Sequence, residues 1–207
     1  MSVTDAAFWD DRYRSAPTIW SGKPNPHLIT DATALAPGRA LDIGAGEGAD
    51  AIWLADRGWQ VTAVDISAVA LERARAEAAR HGEEVAARIE WVCADLTTWA
   101  PPVGAFDLVS AQFMHLPSEQ RGPLFQRCIA AVAPGGQLLI VGHHVSDLQT
   151  TIRRPKLPEL YFTAEEIAAV LDGTWTVVEA GRRARTATDA EGHDVTIHDA
   201  VLIARRA

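Results

Sequence analysis

Short apolar runs alternate with helical patterns along most of the chain. Strands that alternate with helices in this way are typical of βαβ units, which build parallel sheets. Connections between parallel strands place helices on both faces of the sheet. The sequence therefore predicts an α/β fold with a mostly parallel sheet and helices on both of its faces.

The pattern predicts seven strands, and the last two read as an antiparallel hairpin that closes the sheet. Residues 143–160 are polar, basic and proline-rich, and they are predicted to form a long loop. The predicted strands are 39–43, 60–64, 88–93, 106–111, 137–142, 174–180 and 194–204. Helices are predicted at 49–57, 67–81, 117–133 and 164–171, with two more before residue 38.

The length of 207 residues fits one domain. We predict three parts within it: a helical lid segment at 1–37, a ligand-binding core at 38–142, and an acceptor-side loop, helix and hairpin at 143–207. The net charge of −8 is unfavourable for a general nucleic-acid binder, which needs a basic face. We therefore expect no nucleic-acid partner.

Two cysteines, Cys93 and Cys128, are too few for a disulfide framework or a zinc cluster. We expect them to be inert core thiols in a cytoplasmic protein. Residues 1–5 lack the basic and apolar regions of a signal peptide, and no apolar run is long enough to cross a membrane. No membrane association is predicted, and the oligomeric state is left open.

The segment Asp42–Gly48 reads Asp-Ile-Gly-Ala-Gly-Glu-Gly and lies between a predicted strand and a predicted helix. Glycines at such a turn let backbone amides approach a ligand closely. Asp65 ends the next strand, where an acid can accept both hydroxyls of a ribose. The combination predicts a nucleoside-bearing cofactor; the simpler alternative is a tight turn with a surface aspartate.

The glycine spacing distinguishes between two cofactors. A nicotinamide site prefers G-x-G-x-x-G with a pyrophosphate at the helix N-terminus, whereas this loop reads G-x-G-x-G. Asp42 and Glu47 would repel a pyrophosphate, and they suit a ligand that carries an ammonium and a sulfonium. The residues therefore favour S-adenosylmethionine over NAD.

The run Asp42–Gly48 with Asp65 resembles the class I S-adenosylmethionine-dependent methyltransferases, which have a Rossmann-like sheet. Residues 94–96, 106–109 and 134–136 resemble further motifs of that family. The aromatic-rich stretch at 8–13, together with Trp20 and 24–26, resembles small-molecule methyltransferases of the tellurite-resistance and thiopurine type.

The resemblance implies roles for the matching residues. Gly44, Ala45 and Gly46 would pass under the methionine part of the cofactor, and Asp42 would hold its ammonium. Asp65 would bind the ribose, with Ile66 against the adenine, and Asp95 and the Leu96 amide would bind the adenine edge. Gln112 would form part of the pocket wall near the sulfonium, and Trp20 would also contact the cofactor. For Asp95 and Gln112 the alternatives are a loop cap and a polar residue at a strand end.

Three histidines are candidates on the methyl-accepting side: His115 after the fourth strand, and His143 and His144 after the fifth. Active sites of α/β folds form at this edge of the sheet, and imidazole titrates near neutrality. They would act as a base or as contacts that orient the acceptor; the alternative is that they cap loops. No metal site is predicted, because acidic or cysteine partners at ligand spacing are missing.

Aromatic side chains near the N-terminus, Trp9, Tyr13 and Trp20, are predicted to cover the cofactor, with Trp9, Tyr13 and His115 contacting the acceptor. Two basic groups, at 153–156 and 182–185, together with Lys23, would attract an anionic acceptor or simply be solvated.

The sequence thus predicts an S-adenosylmethionine-dependent methyltransferase that acts on a small-molecule nucleophile by in-line displacement and releases S-adenosylhomocysteine. The alternatives are an NAD-dependent oxidoreductase and a non-catalytic S-adenosylmethionine-binding protein. The identity of the acceptor stays open among sulfur, selenium, tellurium, nitrogen, oxygen, carbon and halide nucleophiles.

Overall fold

The computed structural model describes residues 5–154 and 157–207. Lys156 of the first basic group lies outside this range, and so do residues 1–4, on which the prediction of no signal peptide partly rests. No helix within the described ranges is both long and apolar enough to span a bilayer.

Seven strands form one sheet in the order β3-β2-β1-β4-β5-β7-β6. The first five pair in parallel, and β7 runs antiparallel to both β5 and β6. The strands are β1 (Arg39–Ile43), β2 (Gln60–Asp65), β3 (Ile89–Cys93), β4 (Phe106–Gln112), β5 (Val132–His143), β6 (Trp175–Thr188) and β7 (Asp194–Arg206). The predicted α/β architecture with a closing hairpin is confirmed.

Seven α-helices surround this sheet in the described ranges: α1 (Ala6–Arg14), α2 (Pro26–Ala32), α3 (Ala49–Asp56), α4 (Ala68–His81), α5 (Glu83–Ala87), α6 (Ser118–Ala131) and α7 (Ala164–Ala168). Ser67 caps α4 by accepting from the Ala70 amide. Thr163 and Glu166 form the predicted capping box of α7.

Alternate residues of the strands point to opposite faces of the sheet, which separates two apolar cores. Leu41 and Ile43 face a core built with α6 and α7, whereas Ala40 faces a core built with α2, α3 and α5. Trp59, at the end of the α3 connection, is fully enclosed in the second core. Both faces of the parallel strands are therefore covered.

The structure corrects several boundaries. Residues 134–136, predicted as a turn before β5, lie inside this strand, at an irregularity where its register with β4 shifts. Strand β6 continues to Thr188 because its polar residues pair with β7 as a ribbon that extends beyond β5. The predicted loop at 143–160 contains two short 3-10 helices, at Val145–Gln149 and Pro158–Leu160, and helix α5 was not predicted.

The strand order reverses between β1 and β4, because the chain moves outward from β1 to β3 and then returns to the other side of β1. Ligands of open α/β sheets bind in the crevice beyond the carboxyl ends of the strands at such a point. The loops after β1, β2, β3, β4 and β5 all begin at this edge. They and the ends of these strands carry the predicted site residues, apart from the aromatic residues that precede β1.

Candidate functional site

The glycine loop between β1 and α3 follows a tight path. The backbone amides of Gly44 and Ala45 both donate to the carbonyl of Val64, at 2.8 and 3.0 Å. Gly44 has a φ of +73°, and a Cβ there would lie 2.3 Å from the Sδ atom of Met114. Gly44 therefore permits both the turn and the close approach of the segment after β4, which sequence analysis did not anticipate.

Asp65 supports this loop from the end of β2. Its Oδ2 accepts a hydrogen bond from the Gly46 amide at 2.8 Å, and its Oδ1 accepts from the Ser67 amide at 2.8 Å. Burial raises the pKa of this carboxyl. Each oxygen keeps acceptor capacity, since a carboxylate offers about four lone-pair sites. Asp65 thus fixes the loop and remains able to accept further hydrogen bonds.

Three carboxyl groups, those of Asp42, Asp50 and Asp65, are buried beside the glycine loop. The pKa of Asp42 is raised well above its ordinary value by burial and by the charges of Asp50 and Asp65. Within the described chain, the Oδ2 atom of Asp42 has no hydrogen-bond partner. A positively charged group placed here would offset the mutual repulsion and the burial of these carboxylates.

The N-terminal segment lies directly on the glycine loop. Tyr13 is buried, and its hydroxyl accepts a hydrogen bond from Trp20 Nε1 at 3.0 Å. A Cβ on Gly46 would lie 2.9 Å from the Tyr13 hydroxyl and 3.5 Å from Trp20 Nε1. The Trp9 ring follows at 6.1 Å from the Tyr13 ring. The three predicted aromatic residues are therefore neighbours, and two of them contact the loop.

Glu47 and Arg73 fasten the N-terminal segment to the core. One Glu47 oxygen accepts from the backbone amides of Ile19 and Trp20, both at 3.1 Å, and the other pairs with Arg73 at 3.0 Å. Arg73 in turn donates to the carbonyls of Tyr13 and Ala16. We call this arrangement the Glu47–Arg73 contact.

Two more carboxylates hold the same segment. Asp10 accepts from the Ser67 hydroxyl at 2.6 Å, close to the end of β2. Asp50 accepts from the backbone and side-chain nitrogens of Asn25, at 2.6 and 2.7 Å. The segment is thus fixed at three points that surround the glycine loop, and none of these pairs was predicted from the sequence.

The predicted adenine-side residues lie in the loops after β2 and β3. The Asp95 side chain is exposed and accepts from the Thr97 amide and hydroxyl, at 2.8 and 2.7 Å, so it caps its own turn. Leu96 is buried. The Ile66 carbonyl accepts a weak hydrogen bond from the Cys93 thiol, with the sulfur at 3.7 Å.

The two cysteines differ, which corrects the expectation that both are core thiols. Cys128 is fully buried, and burial raises the pKa of its thiol to about 12. Cys93 is exposed, because it ends the edge strand β3.

Gln112 ends β4 and is buried. Its side-chain nitrogen donates to the Ser110 hydroxyl at 3.1 Å, whereas its oxygen has no partner among the described residues. Phe113 follows with a φ of +57°, an uncommon conformation for a residue with a side chain. Such strain is often found at functional sites. It turns the chain so that the Phe113 ring lies 4.8 Å from the His143 ring.

His115 and His143 form a stacked pair, with ring centroids 4.4 Å apart and planes 20° from parallel. His144 is held elsewhere: it caps the following 3-10 helix by accepting from the Ser146 amide, and its ring lies 6.5 Å from that of His198. The structure therefore brings two of the three predicted histidines together at the ends of β4 and β5.

Asp199 supports this pair from β7 and was not predicted. It is fully buried, and it accepts from His27 Nε2 at 3.0 Å and from Arg185 Nε at 2.5 Å. The Nδ1 atom of His143 lies 3.7 Å from its other oxygen. These partners hold the pKa of Asp199 well below its ordinary value, against the effect of burial. No local sequence signal marks Asp199, since its partners come from distant parts of the chain.

The two basic groups differ in their pairing. In the hairpin, Arg183 pairs with Asp31 and Glu179, and Arg185 with Asp199. In the loop after β5, the Nε of Arg154 lies 3.8 Å from a carboxylate oxygen of Asp147.

Residues 40–136 match the family described as the methyltransferase domain. This match, together with the relatives and solved structures described below, supports a class I S-adenosylmethionine-dependent methyltransferase. It favours S-adenosylmethionine over NAD as the cofactor. It also supports an enzyme over a cofactor-binding protein without activity.

Two relatives show how varied the acceptors of similar proteins are. One, a ribosomal RNA small subunit methyltransferase J from Laribacter hongkongensis, is 32% identical over 59% of this chain and 48% of its own. Another, a 2-heptyl-1-hydroxyquinolin-4(1H)-one methyltransferase from Mycobacteroides abscessus, is 27% identical over 72% of this chain and 70% of its own. The chain thus spans about half of the first relative and somewhat more of the second.

Solved structures agree on the fold. TehB from Haemophilus influenzae has a TM-score of 0.70 at 18% identity, over 96% of this chain and 67% of its own. The N-methyltransferase NodS from Bradyrhizobium japonicum WM9, in complex with S-adenosyl-L-homocysteine, has a TM-score of 0.72 at 19% identity, over 99% of both chains. The methyl acceptor of the present protein does not follow from these likenesses.

Proposed function

We propose that the protein transfers the methyl group of S-adenosylmethionine to a small-molecule nucleophile by in-line displacement. The acceptor's lone pair forms a bond to the methyl carbon while the carbon–sulfur bond breaks, and its electron pair stays on sulfur. S-adenosylhomocysteine is the second product. The cofactor supplies the activated carbon, so the protein contributes alignment and exclusion of water.

On the cofactor side, the proposal assigns the ammonium to the carboxylates of Asp42 and its neighbours and the ribose to Asp65. The burial and mutual repulsion of these carboxylates support it, because a cationic ligand relieves both. Gly44, Ala45 and Gly46 lie under the methionine, Ile66, Asp95 and Leu96 contact the adenine, and Gln112 with Trp20 borders the sulfonium.

The observation that carries the small-molecule assignment is the recessed histidine pair. The His143 side chain is only 15% exposed, and the His115 ring stacks on it. A small acceptor can reach such groups directly, whereas a folded RNA or protein would have to insert a flexible segment. The N-terminal segment further restricts the opening, since it is fastened over the glycine loop at three points.

The test measures S-adenosylhomocysteine release by the purified protein. Small thiols, hydroxyquinolones and amines are compared with 30S ribosomal subunits as competing acceptors. We expect release with at least one small nucleophile class and no labelled methyl group in ribosomal RNA. Methylation of RNA with no turnover of any small molecule would contradict the proposal.

A further inference from the structure

The hydrogen bonds of His115 assign the position of its proton. Its Nε2 atom accepts the backbone N–H of His143, with the two nitrogens 3.3 Å apart. A ring nitrogen that accepts from an amide carries no proton, so in the neutral imidazole the proton is on Nδ1. His115 therefore acts as a hydrogen-bond donor through Nδ1, and its lone pair on Nε2 is already engaged.

His115 also stays neutral at physiological pH. Burial lowers its pKa to about 3, and the nearby charges of His143, Arg154 and Arg121 act in the same direction. A group with no free lone pair and no ionisation near neutrality is a poor general base. Of the two roles open to this histidine, the geometry favours the contact that orients the acceptor.

The lack of a base at His115 has a consequence for the acceptor. A protonated nucleophile must lose a proton during or after methyl transfer, whereas an anionic nucleophile has none to lose. When an anion attacks the sulfonium, the carbon–sulfur electron pair neutralises the sulfur, and the new bond neutralises the acceptor. No proton has to move, so the reaction needs no base.

Arg154 places a guanidinium group near His115, in a loose ion pair with Asp147 that is too long for a hydrogen bond. Its side chain is 19% exposed, yet its Nε is buried and has no hydrogen-bond partner within the described chain. The nearest carboxylate oxygen, on Asp147, is 3.8 Å away, beyond hydrogen-bond distance. Leaving a buried charged donor unsatisfied is costly, so the site favours an anion that completes its hydrogen bonds.

The neighbouring arginine is already occupied. Arg121 donates to the carbonyls of Leu116 and Glu159, at 3.0 and 2.7 Å. Arg185 is paired with the buried Asp199. Among the described guanidinium groups near the histidine pair, Arg154 is thus the one with an Nε that lacks a hydrogen-bond partner.

We propose that the methyl acceptor is a small anion, that Arg154 binds a negatively charged group of this acceptor other than its nucleophilic atom, and that the acceptor receives a hydrogen bond from Nδ1 of His115. The inference rests on the proposed function and narrows its acceptor class. It makes the two ends of the site complementary to two reactants of opposite charge: carboxylates meet the cationic cofactor, and a guanidinium meets the anionic acceptor.

The experiment compares acceptors that share a thiol and differ in charge, 4-mercaptobenzoate with 4-mercaptobenzamide and the corresponding 3-isomers, each at equal thiolate concentration. The variants are Arg154→Gln, Arg154→Lys and, as a control, Arg153→Gln at the exposed neighbour. We expect Arg154→Gln to lower kcat/KM for a mercaptobenzoate by about 10- to 100-fold, the effect of losing a charge-assisted hydrogen bond, and to change the benzamides less than about threefold. Arg154→Lys should retain part of the preference, and Arg153→Gln all of it.

Equal losses for the charged and neutral thiols would assign Arg154 a structural role and overturn the inference. A wild-type preference for the mercaptobenzamides would also overturn the inference about Arg154. Methylation of these benzamides would still support the proposed methyltransferase function. Calorimetry on the S-adenosylhomocysteine-loaded protein gives an answer without turnover: the wild type should bind a mercaptobenzoate about tenfold more tightly than Arg154→Gln does. No binding by the wild type would refute the anion site.

The proton position has its own measurement. Nitrogen-15 spectra of histidine-labelled protein should show His115 with its proton on Nδ1 and no titration between about pH 5 and 8. A proton on Nε2, or a His115 titration near neutrality, would contradict the assigned donor role. If the anion binds but no acceptor of any class is methylated, the anion site stands and the proposed function fails.

Discussion

The cofactor side and the acceptor side of the crevice are built in different ways. Around the glycine loop, the charged groups are mostly carboxylates: Asp10, Asp42, Glu47, Asp50 and Asp65. Around the histidine pair, guanidinium groups face two buried carboxylates, those of Asp147 and Asp199. The proposal explains this difference by a cationic reactant on the first side and an anionic reactant on the second.

The two sides also differ in the range of their contacts. Gly46 and Asp65, which define the cofactor side, are 19 residues apart in the chain. His27 and Asp199, which support the acceptor side, are 172 residues apart. The glycine loop and the acid that supports it are therefore assembled by one βαβ unit, whereas the acceptor side requires the whole sheet. Changes in each region should have separable effects.

The largest expected effect is on the close packing of the cofactor side. Gly48 has a φ of +84°, and a Cβ there would lie 2.6 Å from the Trp91 ring and 2.8 Å from the Ala74 Cβ. Gly48→Ala should lower the free energy of unfolding by about 2–5 kcal/mol, since it adds backbone strain to overpacking. Denaturant unfolding measures it.

Gly104→Ala is the matched control, because Gly104 has a φ of +61° and no atom within 4 Å of the added Cβ. This variant should lower the free energy of unfolding only by the cost of the backbone strain, about 1–2 kcal/mol. Equal losses in the two variants would mean that the packing at Gly48 is unimportant.

The next effect concerns cofactor binding. Asp65→Ala should weaken S-adenosylmethionine binding by about 10- to 100-fold, roughly 1–3 kcal/mol, because the ribose and the Gly46 amide both lose a charged acceptor. Titration calorimetry measures the Kd, with Asp56→Ala, an exposed carboxylate at the end of α3, as control. An unchanged Kd in Asp65→Ala would contradict the assignment of the ribose to Asp65.

A smaller effect is expected at the Glu47–Arg73 contact. Glu47→Gln keeps the shape of the side chain but weakens its bonds to Arg73 and to the Ile19 and Trp20 amides. Hydrogen exchange of residues 13–20 should become faster, and cofactor affinity should fall by a factor of about 3 to 10. Glu77→Gln, which breaks the exposed pair with Arg80, should change neither. Unaltered exchange at 13–20 would indicate that this contact does not hold the segment.

The last effect, visible only at acid pH, is a pH dependence of stability from the acceptor side. Burial lowers the pKa of His115 to about 3 in the folded protein. Between about pH 3 and the ordinary histidine pKa, the unfolded chain therefore binds a proton at this residue and the folded chain does not. Stability from this group is present above about pH 6.5 and is lost as the pH falls towards 3. His115→Asn should flatten that part of the stability profile, measured by thermal unfolding. A wild-type profile in the variant would contradict the neutral, buried state of His115.

Local signals in the sequence determined the cofactor side. The glycine loop, the acid at the end of β2, the capping residues and the alternation of elements act over short separations, and they predicted the fold, the family and the residues at the loop. The predicted ends of elements were wrong where strand pairing, rather than local composition, sets the structure. The polar residues of β6, for example, form a strand because β7 lies beside them. Cys93 is exposed because β3 is an edge strand, which residue order alone does not reveal.

Only the tertiary structure decided the acceptor side. The sequence named His115, His143 and His144 as candidates, with His115 preferred, and the fold stacked the first two and used the third as a cap. It also placed Asp199 next to His143. Among the described residues, it left the Nε of Arg154 without a hydrogen-bond partner, whereas Arg183 and Arg185 are closely paired. The physical reason is distance along the chain: which donor meets which acceptor depends on how β5, β7 and the N-terminal segment come together, and no local pattern encodes it.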